Sequence, residues 1–178
     1  EPDSDILTAI DNVIHEKYFE EKLHRIDTYL NDLNVGTAVN EVVLHTSRVA
    51  KIQGFEISTN GKLIDSFRGD GVIIATPTGS TSYSMSIGAP IIYPTMQSNL
   101  IVPMAPYKLG SRPLILPANY EISAKINGYP EAVMVIDGKE EIFIKGDDKI
   151  EFKASNNPAK LIRFSKNFFD RLRNKLRL

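Results

Sequence analysis

The spacing of apolar residues changes several times along the chain, and each change marks an element. Ile6, Ile10, Val13 and Ile14 recur at helical spacing behind Asp3 and Ser4, either of which can cap a helix, so the chain opens on a helix. Residues 18–30 have a mixed pattern that fits a strand, and Asn31-Asp32 makes a turn. Residues 38–45, with Val39, Val42, Val43 and Leu44, read as one strand. Alternation is clean around Asn60-Gly61, with Phe55, Ile57 and Thr59 before it and Leu63, Asp65 and Phe67 after it. That dipeptide suits a two-residue type I′ turn, so 51–59 and 62–68 form a hairpin. Residues 72–75 are apolar throughout, the pattern of a strand buried on both faces.

Beyond Pro90 the chain reads as short extended pieces, 91–93, 100–104 and 114–116, because prolines at 94, 103, 106, 113 and 117 forbid long helices. Ile122, Ala124 and Ile126 alternate. Residues 132–136 and 141–145 flank Asp137-Gly138, a second hairpin turn. Gly146-Asp147-Asp148 turns the chain into Ile150, Phe152 and Ala154, and 161–164 is a last strand. Residues 165–178 then form a helix that Ser165 can cap, with Phe168, Phe169, Leu172 and Leu176 on one face. Many short strands at close spacing predict a mainly β fold, a two-sheet antiparallel β-sandwich with short helices.

Composition narrows the function more than the fold. At 178 residues a single domain over 1–178 is expected, and a mean hydropathy of −0.16 fits a globular chain. A net charge of −1 supplies no field for nucleic acid or acidic lipid. The charge is polarised all the same. Residues 1–41 carry ten acidic side chains against three basic ones, and 160–178 carry seven basic against Asp170 alone. Two ends that attract each other account for this better than a nucleic-acid patch. The absence of cysteine excludes disulfides and thiolate chemistry. Apolar runs stop at about five residues, too short to span a bilayer, and no signal-peptide pattern opens the chain, so a cytoplasmic location is expected.

The stretch 69–90 holds the candidate chemistry. A Gly-Asp-Gly turn leads into the apolar run 72–75, and 76–82 then offers hydroxyls with no large apolar side chain. Pro77 and Gly79 argue against a regular element there. From Ser80 a short helix can start on a Ser or Thr cap, to be stopped by Gly88 and Pro90. Free backbone N–H groups and hydroxyls at such a turn suit an anion or a polar heterocycle. Histidines 15, 24 and 45 show no metal-ligand spacing, and no Gly-x-Ser-x-Gly elbow accompanies Ser80, Ser82 or Ser84.

Gly69-Asp70-Gly71 followed by Thr76-Pro77-Thr78-Gly79-Ser80-Thr81-Ser82-Tyr83-Ser84 resembles the signature of the NAD kinase family. Asn40-Glu41 upstream and Gly88-Ala89-Pro90-Ile91-Ile92-Tyr93-Pro94 downstream match the same family in order. The resemblance implies a chain of the family's C-terminal, NAD-binding domain type. Asn40 and Glu41 would hold the ribose hydroxyls of the NAD adenosine. Thr78, Thr81, Ser82 and Tyr83 would contact adenine and ribose, with Ser86 one helical turn beyond Ser82. Where the family often has Ala, this chain has Ser82. Asp70 would serve the nicotinamide end, from a neighbouring subunit.

The implied reaction is transfer of a phosphoryl group from ATP or polyphosphate, with a divalent cation such as Mg2+, to the 2′-hydroxyl of the adenosine ribose, giving NADP. The family's Gly-Gly-Asp-Gly-Thr motif, which bears the proposed base, is not in this sequence. It belongs to a Rossmann-like N-terminal domain, against which the 165–178 helix would pack. A homodimer or homotetramer is implied as well. Two other readings share parts of this pattern: a lipid kinase of the diacylglycerol or sphingosine type, and a non-catalytic NAD(P)-binding module.

Overall fold

A computed structural model describes residues 6–48, 51–128, 131–139, 141–165 and 167–176. The chain divides into two units, 23–159 and a smaller one made of 1–22 with 160–178. The large unit is the predicted sandwich. One sheet has the order β3-β2-β13-β10-β5-β6, from β2 (Ile26–Leu30), β3 (Leu33–Ala38), β5 (Gln53–Thr59), β6 (Lys62–Gly69), β10 (Ile122–Asn127) and β13 (Ile150–Ala154). The other has the order β12-β11-β4-β7-β8-β9, from β4 (Glu41–Thr46), β7 (Gly71–Ala75), β8 (Ser98–Met104), β9 (Leu114–Pro117), β11 (Glu131–Ile136) and β12 (Glu141–Lys145).

The two hairpins form where their turn dipeptides place them. Asn60 and Gly61 take φ of 48° and 75°, and Asp137 and Gly138 take 49° and 67°, the left-handed values a type I′ turn needs. Asn31 and Asp32 do the same at 51° and 65°, joining β2 to β3. The mixed 18–30 segment is thus two strands, broken at His24-Arg25, and the bulge opposite Thr28 and Tyr29 leaves Val35 of β3 as the extra residue.

Both sheets bury alternate residues in a common core that includes Val42, Leu44, Phe55, Ile57, Val72, Ile74, Met134 and Phe152. Each such side chain contributes about 1.5–3 kcal/mol of burial. Strand β7 is buried along its whole length because its two faces meet different cores. Val72 and Ile74 face the sandwich; Ile73 and Ala75 join Leu100, Val102 and Met104 in a second cluster on the outer face. Ala89, Ile92 and Ile87 cover that cluster. Residues 91–93 are therefore not a strand, as their pattern predicts, but part of a strap over the outer sheet. Val43 of β4 packs against the same cluster, whereas Phe143 of β12 is 65% exposed.

The small unit holds α1 (Ile6–Ile14), α3 (Phe168–Leu176) and a two-stranded sheet of β1 (Phe19–Leu23) and β14 (Ala159–Arg163). Arg163 Nε donates to Glu21 Oε2 at 2.8 Å, and Lys160 pairs with Glu20 at 3.4 Å, so the oppositely charged ends do meet. The expected caps at Asp3 and Ser4 lie outside the described residues. Helix α3 starts after Asn167, whose side-chain oxygen accepts the Asp170 N–H at 3.4 Å, so the cap is Asn167 and not Ser165. No residue of α1 is buried, and Phe169 of α3 is 68% exposed. The side chain of Leu176 lies outside the described residues.

Candidate functional site

The site begins where the predicted 38–45 strand breaks. β3 ends at Ala38 in one sheet and β4 begins at Glu41 in the other, so Val39 and Asn40 carry the chain across. Three consecutive N–H groups at this crossing converge on one carboxylate. Val39 donates to Asp137 Oδ2 at 2.7 Å, while Asn40 and Glu41 donate to Oδ1 at 2.8 and 3.0 Å. Asp137 donates its own N–H back to the Glu41 carbonyl at 3.0 Å. The β11–β12 turn thus supplies the group that satisfies the crossing.

The hydroxyl-rich loop is tied to the same point. The Thr76 N–H donates to the Asn40 carbonyl at 2.8 Å, and Thr76 Oγ1 donates to the Val39 carbonyl at 2.5 Å. Thr76 Oγ1 also accepts the Gly79 N–H at 3.2 Å, which ties Thr76 to the 3₁₀ turn Thr78–Thr81. Gly79 is required by closeness: a Cβ there would lie 2.1 Å from the Asn40 carbonyl oxygen. Ser80 is fully buried, donating to the Pro77 carbonyl at 2.6 Å and accepting the Ile92 N–H at 2.9 Å. It anchors the strap to the loop.

Ser82 stands at the start of the short helix α2 (Tyr83–Ser86) but does not cap it. Its hydroxyl donates instead to Glu41 Oε1 at 3.1 Å. Glu41 is 7% exposed, and its Oε2 is buried without a hydrogen-bond partner. Burial raises the Glu41 carboxyl above its ordinary range; the Ser82 hydrogen bond opposes this, and the nearby Asp137 charge adds to it. Thr78 Oγ1 is also buried without a partner, while Thr81 Oγ1 donates to the Thr78 carbonyl at 3.2 Å. A carboxylate oxygen and a hydroxyl are left to bond something from outside the chain.

Most of the expected residues are brought together here. Asn40 is half-buried beside the loop, and Tyr83, 43% exposed, lines with Glu41 a groove of about 630 Å³ on the outer face of β4, β11 and β12. Ser86, at the far end of α2, is exposed and makes no contact with Glu41 among the described residues. Asp70 is not part of the cluster within one chain. Glu41 pairs with Ala75, and Asp70 lies at the opposite end of β7, where its N–H meets the Met104 carbonyl and its carbonyl accepts the Thr46 N–H. Five strand residues at about 3.3 Å each separate it from the loop by roughly 17 Å. Asp137, Thr76 and Ser80 are the site residues that reading the sequence missed. Asp137-Gly138 signals a turn, and nothing local signals the crossing it clamps.

Known proteins resemble this chain in sequence and in fold. Residues 39–164 match the model of the ATP-NAD kinase C-terminal domain. An NAD kinase of Methanosarcina acetivorans is 41% identical over 174 residues, covering 97% of this chain and 63% of that protein. One from Methanocorpusculum labreanum is 44% identical over 154 residues, covering 86% of this chain and 57% of that protein. Among solved structures, an Archaeoglobus fulgidus NAD kinase in complex with ATP superposes with a TM-score of 0.85 at 25% identity, over 97% of this chain and 66% of that one. Yeast NADH kinase complexed with NADH superposes at 0.86 and 24% identity, covering 96% of this chain and 54% of that one, a likeness of fold. The chain spans about three-fifths of the length of the relatives it matches. It belongs to the ATP-NAD kinase family and represents that family's C-terminal domain.

Proposed function

We propose that this chain is the NAD-binding part of an NAD kinase, which transfers the γ-phosphoryl group of ATP to the 2′-hydroxyl of the NAD adenosine ribose. The observation that carries the reading is Glu41. A buried carboxylate with one oxygen on Ser82 and the other unpartnered is a ready acceptor for a ribose hydroxyl. Asn40 adds an amide beside it, and Thr78, Thr81 and Tyr83 offer hydroxyls and a ring to the adenine. These groups orient the acceptor ribose; the new bond joins its 2′-oxygen to the γ-phosphorus as the bond to ADP breaks.

The donor, ATP or polyphosphate, and a divalent cation fall to the part of the protein that bears the Gly-Gly-Asp-Gly-Thr motif. No group of three or more acidic or histidine side chains suited to a metal occurs among the described residues. The open apolar faces of α1 and α3 suit packing against that N-terminal domain. Asp70, stranded far from the loop, suits a homodimer or homotetramer in which it reaches a neighbour's site. No helix among the described residues is long and apolar enough to cross a membrane, and a cytoplasmic location accords with the reaction's substrates.

Calorimetric titration of the full-length protein with NAD tests the reading. Saturable binding is expected, and Glu41→Ala should weaken it by about 1.5–3 kcal/mol, the worth of a charge-assisted hydrogen bond. Equal affinity in the variant would reduce Glu41 to a structural residue.

A further inference from the structure

A cavity of about 470 Å³ opens at the edge of the sandwich, where β3 of one sheet borders the β11–β12 hairpin of the other. Val35, Gly36 and Thr37 line one side, and Ile136, Lys139 and Ile142 line the other. None of them belongs to the hydroxyl-rich loop or to the groove beside Glu41. Val35, the extra residue of the β3 bulge, and Ile142 pack against the sandwich core, and Ile136 is part of that core. Gly36 lets the two walls approach, since a Cβ there would stand 2.8 Å from Ile136 Cδ1. The lining is apolar except for two side chains. Thr37 Oγ1 is spent on Asp27 Oδ1, to which it donates at 2.6 Å. Lys139 is exposed, and its ammonium makes no ion pair or hydrogen bond among the described residues.

Both walls run into the clamp beneath Glu41. From Thr37 the chain continues through Ala38 to Val39 and Asn40, and Ile136 directly precedes Asp137. The Asp137 carboxylate receives the N–H groups of Val39, Asn40 and Glu41 at 2.7, 2.8 and 3.0 Å. We propose that this cavity binds an aliphatic carboxylate, with its chain among Val35, Ile136 and Ile142 and its head on Lys139, and that this occupant weakens NAD binding by loosening the clamp. An apolar lining with one charged group at hand suits a hydrocarbon chain that ends in a charge. The balance of charge selects the head. One ammonium pairs with one carboxylate, whereas a phosphate monoester brings a second negative charge near Asp137 and Glu141 with no second cation in the lining. The sign of the effect follows from the clamp. Its hydrogen bonds are already short, so a guest that spreads β3 from β11 can only lengthen them. The control of NAD binding rests on the reading of Glu41 as the ribose-binding group; the cavity does not.

Calorimetry on the full-length protein tests this with octanoate, octanol and octylammonium below their micellar concentrations, each alone and with NAD. The proteins compared are the natural sequence, Lys139→Gln and Val35→Phe. Octanoate should bind saturably and more tightly than octanol or octylammonium. Lys139→Gln should weaken octanoate about threefold, as for an exposed charge pair, and leave octanol unmoved. Val35→Phe should abolish binding of both by filling the cavity; if that variant fails to fold, Lys139→Gln decides alone. Saturating octanoate should weaken NAD about fivefold, and NAD should weaken octanoate by the same factor. Absence of saturable octanoate binding, or binding that neither variant changes, would overturn the site. Octanol binding as tightly as octanoate would overturn the role of Lys139. Octanoate binding with NAD affinity unmoved would overturn the link to the clamp. Octanoate binding as described, to a folded protein that does not bind NAD, would remove the NAD reading and leave the cavity standing.

Discussion

Replacing Glu41 by Gln should move binding and stability in opposite directions. Gln keeps the shape and can still accept from Ser82, but it removes the charge that a ribose hydroxyl would meet. Losing a charge-assisted hydrogen bond costs about 1.5–3 kcal/mol, so NAD affinity should fall roughly ten- to a hundredfold. Stability follows the carboxyl's own titration. Burial raises the folded-state pKa of Glu41 above its unfolded value, so the native state favours the protonated form. That contribution is fully present below the ordinary glutamate value of about 4.3 and is lost as pH rises through the raised one. At neutral pH the folded protein bears a buried charge with an unpartnered oxygen. Glutamine does not titrate, so Glu41→Gln should melt higher than the natural protein at pH 7, by about 2–4 °C for each kcal/mol relieved, and the gap should close towards pH 4. Melting curves from pH 4 to 8, paired with NAD titrations, read both effects. A variant that melts lower at every pH and binds NAD normally would refute the reasoning, because Glu41 would then be a supporting residue and not a recognising one.

The crossing beneath the site can be perturbed without touching Glu41. Gly79→Ala pushes a methyl group against the Asn40 carbonyl and should cost about 1–3 kcal/mol as overpacking, with loss of NAD affinity as the loop shifts; unchanged melting and binding would mean that the loop yields freely there. Asp137→Asn leaves one acceptor oxygen for three N–H donors and should destabilise by about 1–3 kcal/mol. It also removes the negative neighbour that raises the Glu41 carboxyl, so the pH midpoint for NAD binding should move down, and a midpoint that moves up or stays fixed would contradict the assignment.

What the sequence reveals and what it hides follow from how local each determinant is. Asn60-Gly61 and Asp137-Gly138 specify their hairpins because the left-handed turn is a property of two residues. The crossing at Val39-Asn40 is invisible for the opposite reason. Both residues are compatible with a strand, neither is Gly or Pro, and the break is enforced by a carboxylate almost a hundred residues away. The piece 91–93 looks extended, yet Ser80 takes the Ile92 N–H, and no strand among the described residues pairs with it. Asn40, Glu41 and the loop from Thr78 to Tyr83 are legible as a site only through the family resemblance. Their hydroxyls alone would suit an ordinary surface turn.

Two carboxylates meet at this point of the fold, and hydrogen-bond capacity separates their roles. Asp137 accepts three backbone N–H groups, so its charge is spread over fixed donors. Such a group holds geometry and has little left to offer a ligand. Glu41 is as firmly positioned, since its own N–H is one of those three, but its side chain has a single neutral donor and a bare oxygen. The fold tolerates that deficit because Asp137 and Thr76 rigidify the backbone beneath it. A ligand that brings a hydroxyl to Glu41 therefore relieves a cost the empty site already carries. That makes Glu41 the recognising group of the pair, although Asp137 has the larger number of contacts.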